Sequence, residues 1–241
     1  MTTELRLGDE QVARFHRDGF LALESFTTRA DVQRIIDLLD GLFARMHELP
    51  ADAIVDLGDV KHHTGAQRIP QINMPSTFEP RLKETQYVRQ AHAVARQLLG
   101  AEAVFRFEHT IYKPGRNGKE TPWHQDLAYP VRSSGNPRMI QFGCNFWLAL
   151  QDTTVEMGCM QFVPHSHLGN LREHHSIGHD QKVHTLVTDD VDPKTAVACP
   201  LKAGGVTIHQ PKTLHYTGPN NSDTPRRAYI IFFGYPVTAT G

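Results

Sequence analysis

His124-Gln125-Asp126, set just after Pro122-Trp123, is the stretch that most constrains what this chain can fold into. On an extended strand residues i and i+2 point to the same face, so His124 and Asp126 converge while Gln125 points away. An imidazole and a carboxylate on one side of an ion are two of the three ligands in the facial triad that holds non-heme Fe(II). A third ligand must then arrive from a distant strand. A short H-x-D string by itself is a common accident, so its weight depends on the rest of the chain.

Around that pair the pattern separates into a helical part and a strand-rich part. Residues 9–18 read as an amphipathic helix closed by Asp18-Gly19, and Phe20-Leu21-Ala22-Leu23 as a short strand. Val32, Ile35, Ile36, Leu39, Leu42, Phe43 and Met46 give helical spacing over 29–48, with His47 as a favourable charge at its C-terminal end. The segment 50–78 has no clear period and is too long for idle connection, which suits a lid or substrate loop. A third helix is predicted over 79–99, stopped by Gly100. Alternation then predicts strands at 104–113, 124–130, 139–150, 159–163, 196–201, 206–209, 213–217 and 226–235, punctuated by Pro114-Gly115, Gly204-Gly205, Pro211 and Gly218-Pro219. Short strands after a few helices suggest a mainly β barrel or jelly roll with a helical buttress.

At 241 residues the chain is read as one domain, 1–100 mostly helical buttress and 103–235 the β core. A formal net charge of −1 offers no basic field for nucleic acid or an anionic membrane. No apolar run approaches the ~20 residues of a membrane span, and Met1-Thr2-Thr3-Glu4-Leu5 lacks the layout of a signal peptide. Three widely spaced cysteines, Cys144, Cys159 and Cys199, suggest a reducing compartment without disulfides, and a cytoplasmic location is expected.

Fifteen histidines make each one a separate decision. For the third ligand His209 and His215 are the candidates, since both sit in the closing strands. His215 is preferred because a Gly218-Pro219-Asn220 turn would return Arg226 beside it, where an arginine can clamp a carboxylate with two parallel hydrogen bonds. His209 then reads as a buried, hydrogen-bonded histidine. His165, His167, His174, His175, His179 and His184 read mostly as solvated loop residues, and Arg227 as an outward surface cation. Trp123 and Trp147 are read either as core aromatics or as pocket walls.

Taken together, Lys113-Pro114-Gly115, Thr121 to Asp126, Phe146-Trp147-Leu148-Ala149-Leu150, Gly158-Cys159-Met160, Val163-Pro164-His165-Ser166-His167 and His215 through Arg226 resemble the phytanoyl-CoA dioxygenase-like Fe(II)/2-oxoglutarate oxygenases. The segments follow the family's order over roughly residues 103–235. The resemblance implies a double-stranded β-helix, the cupin-like jelly roll, with iron on His124, Asp126 and His215. It implies that Arg226 grips the far carboxylate of 2-oxoglutarate, that Thr217 assists, and that Trp147 lines the same pocket. His109 and His174 match positions near cosubstrate or substrate. The family usually has glycine in place of His165.

The activity so implied is dioxygen-dependent hydroxylation or desaturation of a small organic substrate, with 2-oxoglutarate converted to succinate and carbon dioxide. Arg132 and Arg138 are only two scattered cations, a poor match to a CoA diphosphate, so a secondary metabolite is preferred as substrate. The partner expected is a small molecule, with no nucleic acid and no membrane. The rival reading is a β-barrel metal-binding protein or isomerase that uses no 2-oxoglutarate.

Overall fold

The computed structural model describes residues 4–57, 69–117, 119–129, 142–177 and 185–235. Helix α1 (Asp9–Asp18) ends at Gly19, whose φ of 85° lies in the left-handed region open to glycine. Strand β1 (Phe20–Leu23) follows, and then α2 (Arg29–Ala44). The predicted helix over 29–48 therefore stops early. Pro50 disfavours helical backbone at Leu49, and the chain unwinds through a 3-10 turn at Met46–Glu48.

The segment 50–78 carries more order than its lack of period suggests. Its described parts supply β2 (Ile54–Asp56) and β3 (Pro70–Asn73), an antiparallel pair on the sheet edge, and the short helix α3 (Pro75–Phe78). Residues 58–68, where a lid was expected, lie outside the described residues. The helix expected over 79–99 is also corrected. A 3-10 turn at Pro80–Glu84 leads to an extended Thr85 with ψ of 153°, and α4 (Gln86–Leu99) begins there. Its start is set from a distance. Asp31 of α2 accepts the backbone N–H groups of Gln86 and Tyr87, both at 2.8 Å, and the Thr27 hydroxyl at 2.7 Å. Apolar periodicity carries no trace of such a cap.

The remaining strands are β4 (Val104–Lys113), β5 (Thr121–His124), β6 (Gly143–Ala149), β7 (Met160–Phe162), β8 (His175–Ser176), β9 (Leu186–Val187), β10 (Val197–Cys199), β11 (Val206–His209), β12 (His215–Thr217) and β13 (Arg226–Gly234). Seven strands form the larger sheet in the order β1-β11-β6-β13-β4-β3-β2, and four form the smaller in the order β10-β7-β12-β5. β8 and β9 pair apart as a two-stranded ribbon. From β4 to β7, and again from β10 to β13, successive strands alternate between or step across the two sheets. This interleaving of antiparallel strands is the double-stranded β-helix, a cupin-like jelly roll.

The central strands of the larger sheet divide their side chains between two cores. Cys144, Phe146, Leu148, Tyr229, Ile231 and Phe233 face α2 and α4, where Tyr87 places its hydroxyl between the carbonyls of Phe146 and Tyr229 at 2.9 and 3.1 Å. Trp147, Ala149, Ala228 and Ile230 face the smaller sheet and pack with Met160, Phe162, Cys199 and Leu201. The helices thus brace one face and leave the other to line the barrel. All three cysteines are buried and free. No described helix is long and apolar enough to cross a membrane.

His165 departs from the family's usual glycine at a left-handed backbone position, φ 64°. The conformation is held by its N–H, which donates to the Asp18 carbonyl at 3.0 Å, and by Nδ1, 2.8 Å from the Arg17 carbonyl. His167 is buried against the His16 carbonyl at 3.0 Å and is not the solvated residue expected. His179 and His184 lie outside the described residues.

Removing the Asp31 carboxylate leaves a buried N–H, that of Tyr87, and a part-buried one, that of Gln86, without an acceptor at the start of α4. Asp31→Ala is expected to cost about 2–4 kcal/mol in urea unfolding. Metal affinity per folded molecule should be unchanged, because the cap lies on the helical side of the larger sheet. A loss below ~0.5 kcal/mol would contradict this account of α4.

Candidate metal centre

β5 carries the first candidate ligand, His124, and ends on it. The strand expected over 124–130 is corrected here. The strand is Thr121–His124, Asp126–Ala128 is a 3-10 turn, and residue 130 lies outside the described residues. Convergence survives because Gln125 remains extended, with φ −119° and ψ 127°, and carries the alternation one residue past the strand. Gln125 points to the other side and is fully buried. Its Nε2 donates to the Lys212 carbonyl at 2.6 Å, and its Oε1 accepts the Arg172 N–H at 2.9 Å.

β12 pairs antiparallel with β5, and that register sets His215 opposite His124, with ring centroids 4.1 Å apart. The outer nitrogens are anchored alike. His124 Nδ1 lies 2.8 Å from the Pro122 carbonyl, and His215 Nδ1 lies 2.9 Å from the Thr213 carbonyl. A carbonyl can only accept, so both protons sit on Nδ1 and both Nε2 atoms present a lone pair inward. Each Nε2 is 3.5 Å from Asp126 Oδ1. Ligand atoms of His124, Asp126 and His215 all fall within 4.8 Å of one another, a group able to hold a metal ion.

The second oxygen of Asp126 is occupied. Oδ2 accepts from Asn145 Nδ2 at 2.5 Å and from His209 Nε2 at 3.1 Å. His209 is thus buried and hydrogen-bonded, as read from the sequence, and it acts on the carboxylate from behind. Burial by itself would raise the Asp126 pKa. The imidazoles of His215, His124 and His209 gathered around it outweigh that effect and hold the group well below the usual carboxylate range. Burial, and then the proximity of His215, push His124 down, which keeps its Nε2 lone pair available.

Arg226 lies on the barrel face of β13 and is 1% exposed. Its Nη1 donates to the Gly158 carbonyl at 2.6 Å, its Cζ lies 5.5 Å from the centroid of Trp147, and its Nε has no partner. Burial lowers its pKa to about 10, so it remains charged at neutral pH. The Thr217 hydroxyl is buried and also without a partner. Arg227 faces the helices and is not a free surface cation. It chelates Asp40 of α2 at 2.8 and 3.0 Å, over the Tyr112 ring.

His109 points into the same interior, beside Asp126 and His209. Burial lowers its pKa to about 4, and its Nδ1 has no partner. His174 sits differently. Its Nε2 accepts the Gln125 N–H at 3.1 Å and its Nδ1 lies 2.8 Å from the Arg172 carbonyl, so both ring nitrogens serve the backbone behind the ligand pair. Trp123 stacks on Tyr216 on the opposite side of β5 from His124, with centroids 5.1 Å apart. Sequence reasoning missed Asn145, although a lone amide within the apolar run of β6 was a usable signal.

The model of the phytanoyl-CoA dioxygenase (PhyH) family matches residues 15–228. Ectoine dioxygenase of Bordetella parapertussis is 27% identical over 240 residues, spanning 94% of this chain and 75% of that protein. The crystal structure of EvdO2 from Micromonospora carbonacea var. aurantiaca, complexed with 2-oxoglutarate, superposes with a TM-score of 0.79 at 32% identity, covering 100% of this chain and 96% of that one. EctD from S. alaskensis, crystallised with bound Fe, has a TM-score of 0.71 at 24% identity over 98% of this chain and 79% of its own, a likeness of fold.

The geometry separates a ligand from its support. His215→Ala should abolish Fe(II) binding in anaerobic titration, while His209→Ala should retain it with affinity lower by about 10–100-fold. Equal loss in both variants would make His209 a ligand as well.

Proposed function

The chain belongs to the phytanoyl-CoA dioxygenase family, and from that premise we propose that it is an Fe(II)/2-oxoglutarate-dependent dioxygenase that hydroxylates or desaturates a small organic substrate, such as a secondary metabolite. In this reading His124, Asp126 and His215 are the metal ligands and Arg226 binds the far carboxylate of 2-oxoglutarate. Thr217 offers a further donor, Trp147 walls the cosubstrate pocket, and His109 borders the space left for substrate. His174 supports the ligand pair through the backbone of Gln125. With three buried free cysteines, the reducing cytoplasm is the compartment that suits the chain.

One observation carries the reading. A histidine–aspartate–histidine group and a buried guanidinium lacking an anion line the same barrel interior. Iron on that group would bind the 2-oxo acid and dioxygen and oxidise the substrate, with 2-oxoglutarate leaving as succinate and carbon dioxide. The protein's part is placement. Asn145 and His209 hold Oδ2 of Asp126, so Oδ1 is the carboxylate oxygen left to hold a metal. Trp147 backs the Arg226 guanidinium and keeps its planar fork aimed. The apolar lining from Met160, Phe162, Ala228 and Ile230 keeps water from the reaction. A β-barrel protein without 2-oxoglutarate would leave the Arg226 charge uncompensated, at a cost in stability with no return.

Anaerobic addition of Fe(II) and 2-oxoglutarate should produce the weak visible charge-transfer band of a chelated 2-oxo acid. Its absence, with metal bound, would favour the rival reading. Arg226→Ala should raise the 2-oxoglutarate concentration required by a factor of about 30 or more. Arg227→Ala should leave it nearly unchanged and lower stability through loss of Asp40; sensitivity at Arg227 alone would overturn the assignment. Because the Asp126 carboxylate would take the place a halide needs, no chlorinated product is expected at any chloride concentration, and its detection by mass spectrometry would contradict the outcome proposed.

A further inference from the structure

β3 turns a polar face toward the barrel. Its pairing with β4 sets Gln71 opposite Ile111, Ile72 opposite Thr110 and Asn73 opposite His109. Directly opposite residues of antiparallel strands share a face. Ile72 belongs to the core beneath the helices, whereas Ile111 packs against the core between the sheets. Gln71 and Asn73 therefore lie on the barrel side, in line with His109 and, two residues back along β4, with Phe107. His109 also stands beside Asp126, so the row leads from the candidate metal centre toward the outer strands of the larger sheet.

The row suits an uncharged group. Gln71 Nε2 donates to Asn73 Oδ1 at 2.7 Å, the one side-chain hydrogen bond that either amide makes among the described residues. Both residues are half-buried, and the pair still offers the Gln71 carbonyl oxygen as an acceptor and the Asn73 amide N–H groups as donors. Exchanging O and N in both amides reverses their direction and leaves an acceptor and a donor all the same. His109 adds a buried Nδ1 without a partner. None of Gln71, Asn73, Phe107, His109 and Ile111 is an acid, a lysine or an arginine. A carboxylate can only accept and an ammonium only donate, so each would leave half of the amide pair unanswered. A hydroxyl does both. Phe107, 37% exposed and with its ring centroid 5.5 Å from that of His109, supplies a flat apolar surface next to the polar row.

We propose that Gln71 and Asn73 are specificity-determining residues that read an uncharged vicinal diol on the substrate. One hydroxyl accepts from Asn73 and its neighbour donates to Gln71, while the C–H flank of the same ring or chain lies on Phe107. The role rests on the oxygenase reading of the barrel and adds the polar edge of the substrate to it. The diol anchors the part of the substrate that does not react, and the part nearest His109 and Asp126 is then the one presented for oxidation. Binding energy at such a remote edge fixes which C–H bond is offered. Selection also works by exclusion, because a charged substituent at the same place would lose water against two neutral amides and find no counter-charge in the row.

The test uses ring probes of one shape that differ in charge: trans-cyclohexane-1,2-diol, trans-2-hydroxycyclohexanecarboxylate and trans-2-aminocyclohexanol. Each is titrated at neutral pH into the anaerobic Fe(II)–2-oxoglutarate protein and followed by low-affinity calorimetry. The diol should bind about tenfold or more tighter than either charged probe. Asn73→Leu should weaken the diol by about tenfold and leave 2-oxoglutarate within about twofold. Asn73→Asp keeps an acceptor for Gln71 and places a negative charge in the row, so it should make the amino alcohol the tightest of the probes. That variant also carries the test if the leucine variant folds poorly. Phe107→Ala should weaken all the probes alike, because the ring flank is common to them. Equal affinities in the wild type, preference for a charged probe, no diol binding at any attainable concentration, or an unchanged order in Asn73→Asp would overturn the proposal. Repeating the titrations on metal-free protein separates the two readings. Diol preference there, without any binding of 2-oxoglutarate to the Fe(II) protein, would sustain the amide row and remove the cosubstrate reading instead.

Discussion

The register of β12 between β5 and β7 is the constraint on which the centre depends. It sets His215 opposite His124 on one side and opposite Phe162 on the other. A slip of one residue would turn His215 to the outer face and bring Tyr216 inward, because side chains alternate with a period of two. That register is held by the ends of the strand. Thr213 fixes the entry, with its hydroxyl on the Gly19 carbonyl at 2.8 Å and its own carbonyl beside His215 Nδ1. The exit runs into the Gly218-Pro219 turn, where Gly158 leaves no room for a side chain. The same contacts that close the barrel therefore orient the imidazoles.

Charge inside this barrel is arranged in two groups. Near the metal centre, Asp126 is surrounded by His124, His209 and His215, and by Asn145. Farther along β4 and β13, Lys113 and Arg226 form a cationic pair. His109, beside Asp126, and Lys113 are four residues apart on β4, about 13 Å of strand. In a low-dielectric interior neither group is screened by water, so a metal cation would suit the first and a carboxylate the second. A ligand that is a chelating 2-oxo acid at one end and a carboxylate at the other meets both needs at once.

Much of this could be read in the chain. Apolar alternation marked the core strands, and Gly and Pro marked most of their ends. That His124, Asp126 and His215 gather in one place, and that Arg226 is buried on the barrel face while Arg227 turns to the helices, agree with the spacing, the turn after His215 and the family resemblance. The errors share one cause. The strand after His124 was drawn too long because Leu127-Ala128-Tyr129 looks extended and apolar, whereas the backbone turns at Asp126. The long C-terminal helix of the buttress was started too early because its cap, Asp31, is 55 residues away from Gln86. Arg227 looked like a surface cation because its partner, Asp40, belongs to a helix distant in sequence.

Sequence alone determined the chemistry available to this protein, since residue types and local spacing decide which side chains can ligate a metal and which face of a strand they share. Tertiary structure alone decided how that chemistry is held. It put His209 and Asn145 on one oxygen of Asp126, turned His174 to the backbone, and set Lys113 against Arg226. These are contacts between strands and loops far apart in the chain. Their existence depends on register and closure of the barrel, which no local pattern encodes.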